Sequence, residues 1–189
     1  MPALVNLSSD VRIAAALGLC GSAWCSGALM CFTFGGGSAL LDPSLPAAAA
    51  AQASLLWRQL YLRRKAKIPP VGVCTALAFA YAAYKLRKPH ALKAIQRTRK
   101  TLALAALLTV SIVPYTLIIM KHTNAALLAK STMAEERSKK GLETILDAGT
   151  KELIKKWNAL NLGRGTLPLL ATGLALYAFF FDEQTPELL

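Results

Sequence analysis

"LALAALLTVSIVPYTLIIM", Leu102 to Met120, runs for 19 residues without a charge. A helix needs about 20 apolar residues to cross the hydrocarbon core of a bilayer, so this run predicts a membrane span. Arg97, Arg99 and Lys100 stand before it, as basic residues do where a span leaves the headgroups. Outward from it lie three further apolar runs. The reading is an all-α protein: a four-helix transmembrane bundle with spans at about residues 11–34, 69–85, 101–120 and 166–181. Residues 1–189 then form a single integral-membrane domain with both termini on one side.

Composition agrees with this reading. Hydrophobic residues make up 54% of the 189-residue chain, mean hydropathy is +0.41, and the formal net charge is nevertheless +12. The two characters segregate along the chain, with uncharged runs alternating with basic clusters. Lys and Arg placed this way belong to loops and headgroups. Without aromatic–basic interleaving or zinc spacing, the charge gives little support to nucleic-acid binding. Residues 85–100 carry seven basic residues and no acidic one, which favours the cytosolic side, although Arg63, Arg64, Lys65 and Lys67 oppose that assignment.

The four cysteines, Cys20, Cys25, Cys31 and Cys74, read as small apolar residues of lipid-embedded helices. Cys25 and Cys31 would stand about 9 Å apart on a helix, too far for a disulfide. No spacing suggests a metal site. In the first span, Ala14, Gly18, Ser22 and Ser26 form a small-residue stripe suited to close helix packing in lipid. Gly35 to Gly37 are expected to break that helix.

The two long connections, residues 35–68 and 121–165, share one side and are each expected to hold additional amphipathic helices. Pro46 and the alanine run after it start one helix, which passes through Trp57 and Tyr61. Thr150 caps another, with Leu153, Ile154, Trp157 and Leu160 on one face and lysines on the other. Gly163 is expected to end that helix, leaving Arg164 just past its cap.

Polar groups gather toward this same side. Ser22 and Ser26 lie in the second half of the first span, and Pro114, Tyr115 and Thr116 lie near the end of the third. His122, Thr123 and Asn124 follow. Trp57, Tyr61 and Arg64 precede the second span, and Trp157, Asn161 and Arg164 precede the fourth. The last three recur at i, i+4 and i+7, within about 60° on one helix face. Polar side chains at such depth tend to face a bundle interior or cavity. Pro114 frees the carbonyl of Val110 and bends the third helix there. Each residue also has a plainer role. The aromatics suit interfacial anchors, the arginines headgroup contacts and Asn124 a helix cap. Asn161, on the apolar side of its helix, needs a buried partner. His122 is the imidazole nearest the group, while His90 lies in the basic loop.

Trp57 and Tyr61 at four-residue spacing, "PYT" (114–116), "TNAAL" (123–127) and "WNALNLGR" (157–164) together resemble the anthrone oxygenases, small fungal integral-membrane proteins. The chain departs from that pattern at Leu62, Arg63 and Arg64, where the family carries an early glycine, and at His122, where proline is common. The resemblance implies oxidation of an anthrone to an anthraquinone by O₂ in polyketide secondary metabolism, in the endoplasmic reticulum or another endomembrane, without metal or other cofactor. It further implies that Trp57 and Trp157 stack on the substrate, with Tyr115, Thr116 and Asn124 also lining its site. Arg164, with Asn161 or Asn124, would donate to the developing oxyanion, and His122, in slight preference to Tyr61, would take the methylene proton. The partners expected are an aromatic polyketide, O₂ and membrane lipid, with no nucleic acid. The competing readings are a non-catalytic tetraspan scaffold and a small transporter subunit. A scaffold of that kind commonly carries loop disulfides and a transporter an intramembrane charge, and the sequence shows neither.

Overall fold

The computed structural model describes residues 8–45, 52–87, 93–142 and 148–180. Among these residues all regular structure is helical, without a strand. Helix α1 spans Ser9–Cys31 and continues as a wider π-helical turn, Phe32–Gly37. Helices α2 (Ala53–Lys65), α3 (Ile68–Lys85) and α4 (Lys93–Val110) follow. A short turn, Ile112–Pro114, leads into a second π-helical segment, Tyr115–Ile119, and then come α5 (Lys121–Lys139) and α6 (Ala148–Phe180). Three stretches of the described chain are long and apolar enough to cross a membrane: Ser9–Gly37, Ala53–Lys85 and Lys93–Ile119. The helix start expected at Pro46, the basic-loop His90 and the last residue of the expected fourth span, Phe181, lie outside the described residues.

The chain divides into two compact units. The first takes residues 1–26, 69–112 and 166–189. Its core is rich in alanine, drawing Ala14 and Ala15 from α1, Phe79 and Ala82 from α3, Leu102 and Ala105 from α4, and Ala171 and Ala175 from α6. Small residues let helix backbones approach closely where lipid provides no hydrophobic driving force between helices. The stripe Ala14, Gly18, Ser22 and Ser26 is buried throughout. A Cβ at Gly18 would collide with the Phe79 ring, so this glycine sets how closely α1 and α3 pack. Ser22 Oγ pairs with Thr172 Oγ1 of α6 at 2.9 Å.

The second unit takes residues 27–68 and 113–165. Helix α2 packs against α5, tied at its surface by Arg58 Nη1 donating to Glu135 Oε2 at 2.7 Å. Trp57, Leu127, Ile154 and Trp157 fill its core, and Lys151, Lys155 and Lys156 point outward on α6.

Two expectations are corrected here. Gly35 to Gly37 do not break α1. They remain helical but with a wider turn, and the looser backbone is secured by Ser38 Oγ donating to the Thr33 carbonyl at 2.8 Å. Gly163 does not end α6, which runs through Gly163, Gly165 and Pro168 as one helix. Among the described glycines only Gly141 takes the left-handed backbone that terminates helices, at φ 68°. Gly163 serves packing instead: a Cβ there would lie 2.8 Å from the Tyr115 hydroxyl.

Candidate active site

The second unit holds a buried polar and aromatic cluster whose centre is Asn161. This side chain is fully enclosed (0% exposed) and uses its whole amide. Nδ2 donates to the Leu29 carbonyl at 3.0 Å and to Thr33 Oγ1 at 2.7 Å, while Oδ1 accepts from Arg164 Nη2 at 2.6 Å. Thr33 in turn donates to the Leu29 carbonyl at 3.2 Å. Satisfied on every side, the amide holds one edge of the guanidinium in place.

Arg164 is fixed at a second point, Nη1 donating to Thr116 Oγ1 at 3.0 Å. Among the described residues its buried Nε has no hydrogen-bond partner and the guanidinium has no carboxylate partner. Burial, reinforced by the charge of Arg64, pulls the Arg164 pKa down to about 10, so the group stays cationic at neutral pH. The phenols of Tyr61 and Tyr115 are its other electrostatic neighbours.

Backbone departures deliver these groups. Pro114 has no N–H to give Val110, and the chain beyond it widens, with Met120 N–H donating to the Tyr115 carbonyl five residues back. The π-helical turn Tyr115–Ile119 thereby carries Tyr115 and Thr116, as the turn Phe32–Gly37 carries Phe32 and Thr33. Such wide turns often occur at functional sites.

The aromatic part adjoins this network. Trp57 stacks on Tyr61 (centroids 4.9 Å, planes 9° apart) and meets Trp157 edge-on at 5.8 Å. Trp157 meets Phe32 edge-on at 4.9 Å and donates Nε1 to Asn124 Oδ1 at 2.8 Å. Arg64 lies 4.5 Å over the Phe32 ring and donates to the Ala28 carbonyl. Trp57 Nε1 is buried and has no hydrogen-bond partner among the described residues.

Trp57, Tyr61, Tyr115, Thr116, Asn124, Trp157, Asn161 and Arg164 thus share one unit and one connected cluster. His122 stands on the exposed face of α5, while its neighbours Thr123 and Asn124 turn inward. Both indoles are enclosed by protein, Trp57 at 0% and Trp157 at 2% exposure, so they frame the cluster instead of presenting open ring faces. Asn124 lies within α5, which begins at Lys121, and binds Trp157 rather than capping the helix. Sequence reasoning missed Phe32 and Thr33. They sit before three glycines that read as a helix end, and no spacing rule ties them to Asn161, 128 residues away.

The model of the anthrone oxygenase family matches residues 57–174, which include every cluster residue except those contributed by α1 and its π-helical turn. The chain belongs to the anthrone oxygenase family. With that family it is an oxidoreductase of the monooxygenase type. It is 33% identical over 136 residues to the anthrone oxygenase encC of Aspergillus fumigatus, covering 68% of this chain and 71% of the relative. The anthrone oxygenase AgnL2 of Paecilomyces divaricatus is 32% identical, over 60% of this chain and 65% of its own length. A noranthrone monooxygenase of Aspergillus flavus is 29% identical, over 64% of this chain and 52% of its own. No solved structure matches the chain.

Proposed function

We propose that this protein oxidises an anthrone to the corresponding anthraquinone with O₂, in polyketide secondary metabolism, and that the Arg164 cluster is where it does so. The observation that carries the assignment of the site is a buried guanidinium, fixed by Asn161 and Thr116, with its Nε unpartnered and two phenols beside it.

The overall change is balanced: the central CH₂ of the anthrone and one O₂ give a ring carbonyl and one water. Loss of a methylene proton leaves a carbanion conjugated with the ring oxygen, so the negative charge develops mainly there. Arg164 donates to that oxygen through Nε, and its positive charge lowers the energy of the anion. The electron-rich anion passes an electron to O₂, and recombination forms a carbon–oxygen bond. The hydroperoxide then loses water to leave the carbonyl. Substrate and O₂ supply the redox electrons, and the protein supplies ionisation, orientation and a dry site.

Tyr61, whose phenol lies beside the buried Arg164, is the base favoured by position. His122, on the outer face of α5, is the competing base. Trp57 and Trp157 form the rigid aromatic wall, with the Trp57 indole N–H a second donor for a substrate oxygen. Tyr115, Thr116 and Asn124 shape the remaining lining and hold Arg164 and Trp157 in place. The membrane setting completes the reading: one integral-membrane domain with four spans, the fourth in the apolar end of α6, and amphipathic helices between spans on one side. Such a protein sits in the endoplasmic reticulum or a related endomembrane, where a greasy planar substrate concentrates.

The test incubates detergent-purified protein with emodin anthrone, following quinone absorbance and oxygen uptake with autoxidation subtracted, with and without chelator. Turnover that survives chelation is expected. Loss of activity in Tyr61→Phe with retention in His122→Gln assigns the base to Tyr61, and the reverse pattern assigns it to His122. Turnover within about twofold of the wild type in both Arg164→Ala and Asn161→Ala refutes the site, because losing one oxyanion donor costs on the order of a hundredfold.

A further inference from the structure

Within the first unit, α3 and α4 leave an open groove of about 520 Å³ between them. The two helices run antiparallel: a Cβ at Gly72, near the start of α3, would meet Ile112, just beyond the end of α4. Arg87 and Arg99 therefore mark the groove's end near the α3–α4 connection, and Val73 and Val110 mark the other. Ala76, Ala80, Ala103 and Ala106 contribute to a floor that leaves room where larger residues would fill it. At 1.5 Å per residue, α3 rises about 18 Å from Val73 to its end at Lys85, and Arg87 lies just beyond. That length is about half the 40–45 Å thickness of a bilayer with its headgroups, or one leaflet.

Charge indicates what fits. Both arginines are exposed, and among the described residues neither has a carboxylate partner. Guanidinium groups suit phosphate geometry, and basic sites beside spanning helices favour lipids of net negative charge. The groove is thus apolar along one leaflet's depth and doubly cationic at one end.

We propose that this groove is a binding site for one anionic glycerophospholipid, with an acyl chain along the alanine floor and its phosphate held by Arg87 and Arg99. The site lies apart from the Arg164 cluster in residue content, so it stands whatever becomes of the catalytic assignment. Bound there, the lipid joins α3 to α4 along their exposed faces.

Native mass spectrometry of the full-length protein, released from micelles containing equal phosphatidylserine and phosphatidylcholine, tests the proposal. One retained phosphatidylserine per chain is expected. R87Q/R99Q should weaken its binding by about thirtyfold, roughly fivefold for each charge removed. Ala80→Phe fills the groove from an exposed position and should abolish retention without lowering the melting temperature. R97Q/K100Q removes the same charge from exposed positions that do not line the groove and should retain the lipid. Equal retention of both lipids, an equal loss in R97Q/K100Q, retention in Ala80→Phe, or a second copy of the chain in place of lipid would each overturn the proposal.

Discussion

Replacing Asn161 with leucine keeps its approximate volume and removes three hydrogen bonds at once. Two of these are neutral, to the Leu29 carbonyl at 3.0 Å and Thr33 Oγ1 at 2.7 Å, and one is charge-assisted, from Arg164 at 2.6 Å. At about 1 kcal/mol for each neutral bond and about 2 kcal/mol for the charged one, stability should fall by about 4 kcal/mol. The Leu29 carbonyl keeps its bond from Thr33, which holds the loss near that figure. In a chain of this size the melting temperature should drop by about 10 °C. The catalytic effect comes through Arg164, which among the described residues keeps its bond to Thr116 but loses the one to Asn161 and swings from its position. A displaced oxyanion donor should cost roughly 30- to 100-fold in kcat with KM little changed. The decisive assay is a double-mutant cycle with Arg164→Met, reading kcat from quinone absorbance and stability from the melt in detergent. If Asn161 acts by positioning Arg164, adding Asn161→Leu to Arg164→Met should reduce kcat by no more than about twofold further. Multiplicative losses in the double variant would refute the argument, as would an Asn161→Leu enzyme of normal kcat and normal melting temperature.

Three further outcomes follow from the same geometry. Gly163→Ala should lower both stability and turnover, since its methyl would sit 2.8 Å from the Tyr115 hydroxyl; Tyr115→Phe in the same chain should recover much of the stability, as read by thermal melts. Trp157→Phe leaves Asn124 Oδ1 buried without its donor and should destabilise the protein by roughly 2–3 kcal/mol, with part regained by Asn124→Leu. Lys139 and Arg58 hold the Glu135 carboxyl below its usual range. Its stabilising contribution is therefore present above the ordinary carboxylate pKa and lost as pH falls through the lowered folded value. Melting curves of Glu135→Gln should accordingly show a shallower decline on acidification than the wild type, the effect remaining small at an exposed pair.

The apolar runs, the basic clusters between them and the Trp157–Asn161–Arg164 face all follow from the sequence itself, because they depend on hydrophobic length and helical period. Those properties are local, and no distant residue is needed to read them. Local rules failed at the glycines. Gly35 to Gly37 and Gly163 read as helix ends, yet all four lie within continuous helical turns, and the unbroken α6 keeps Arg164 on the same face as Trp157. Which partners complete the cluster was a tertiary matter. The Leu29 carbonyl and Thr33 reach Asn161 across more than 120 residues of chain, and Thr116 reaches Arg164 from a turn widened by Pro114. His122 and Asn124 show the same division: two residues apart in one segment, one faces outward and the other holds an indole, because only packing decides which side of a helix becomes the interior.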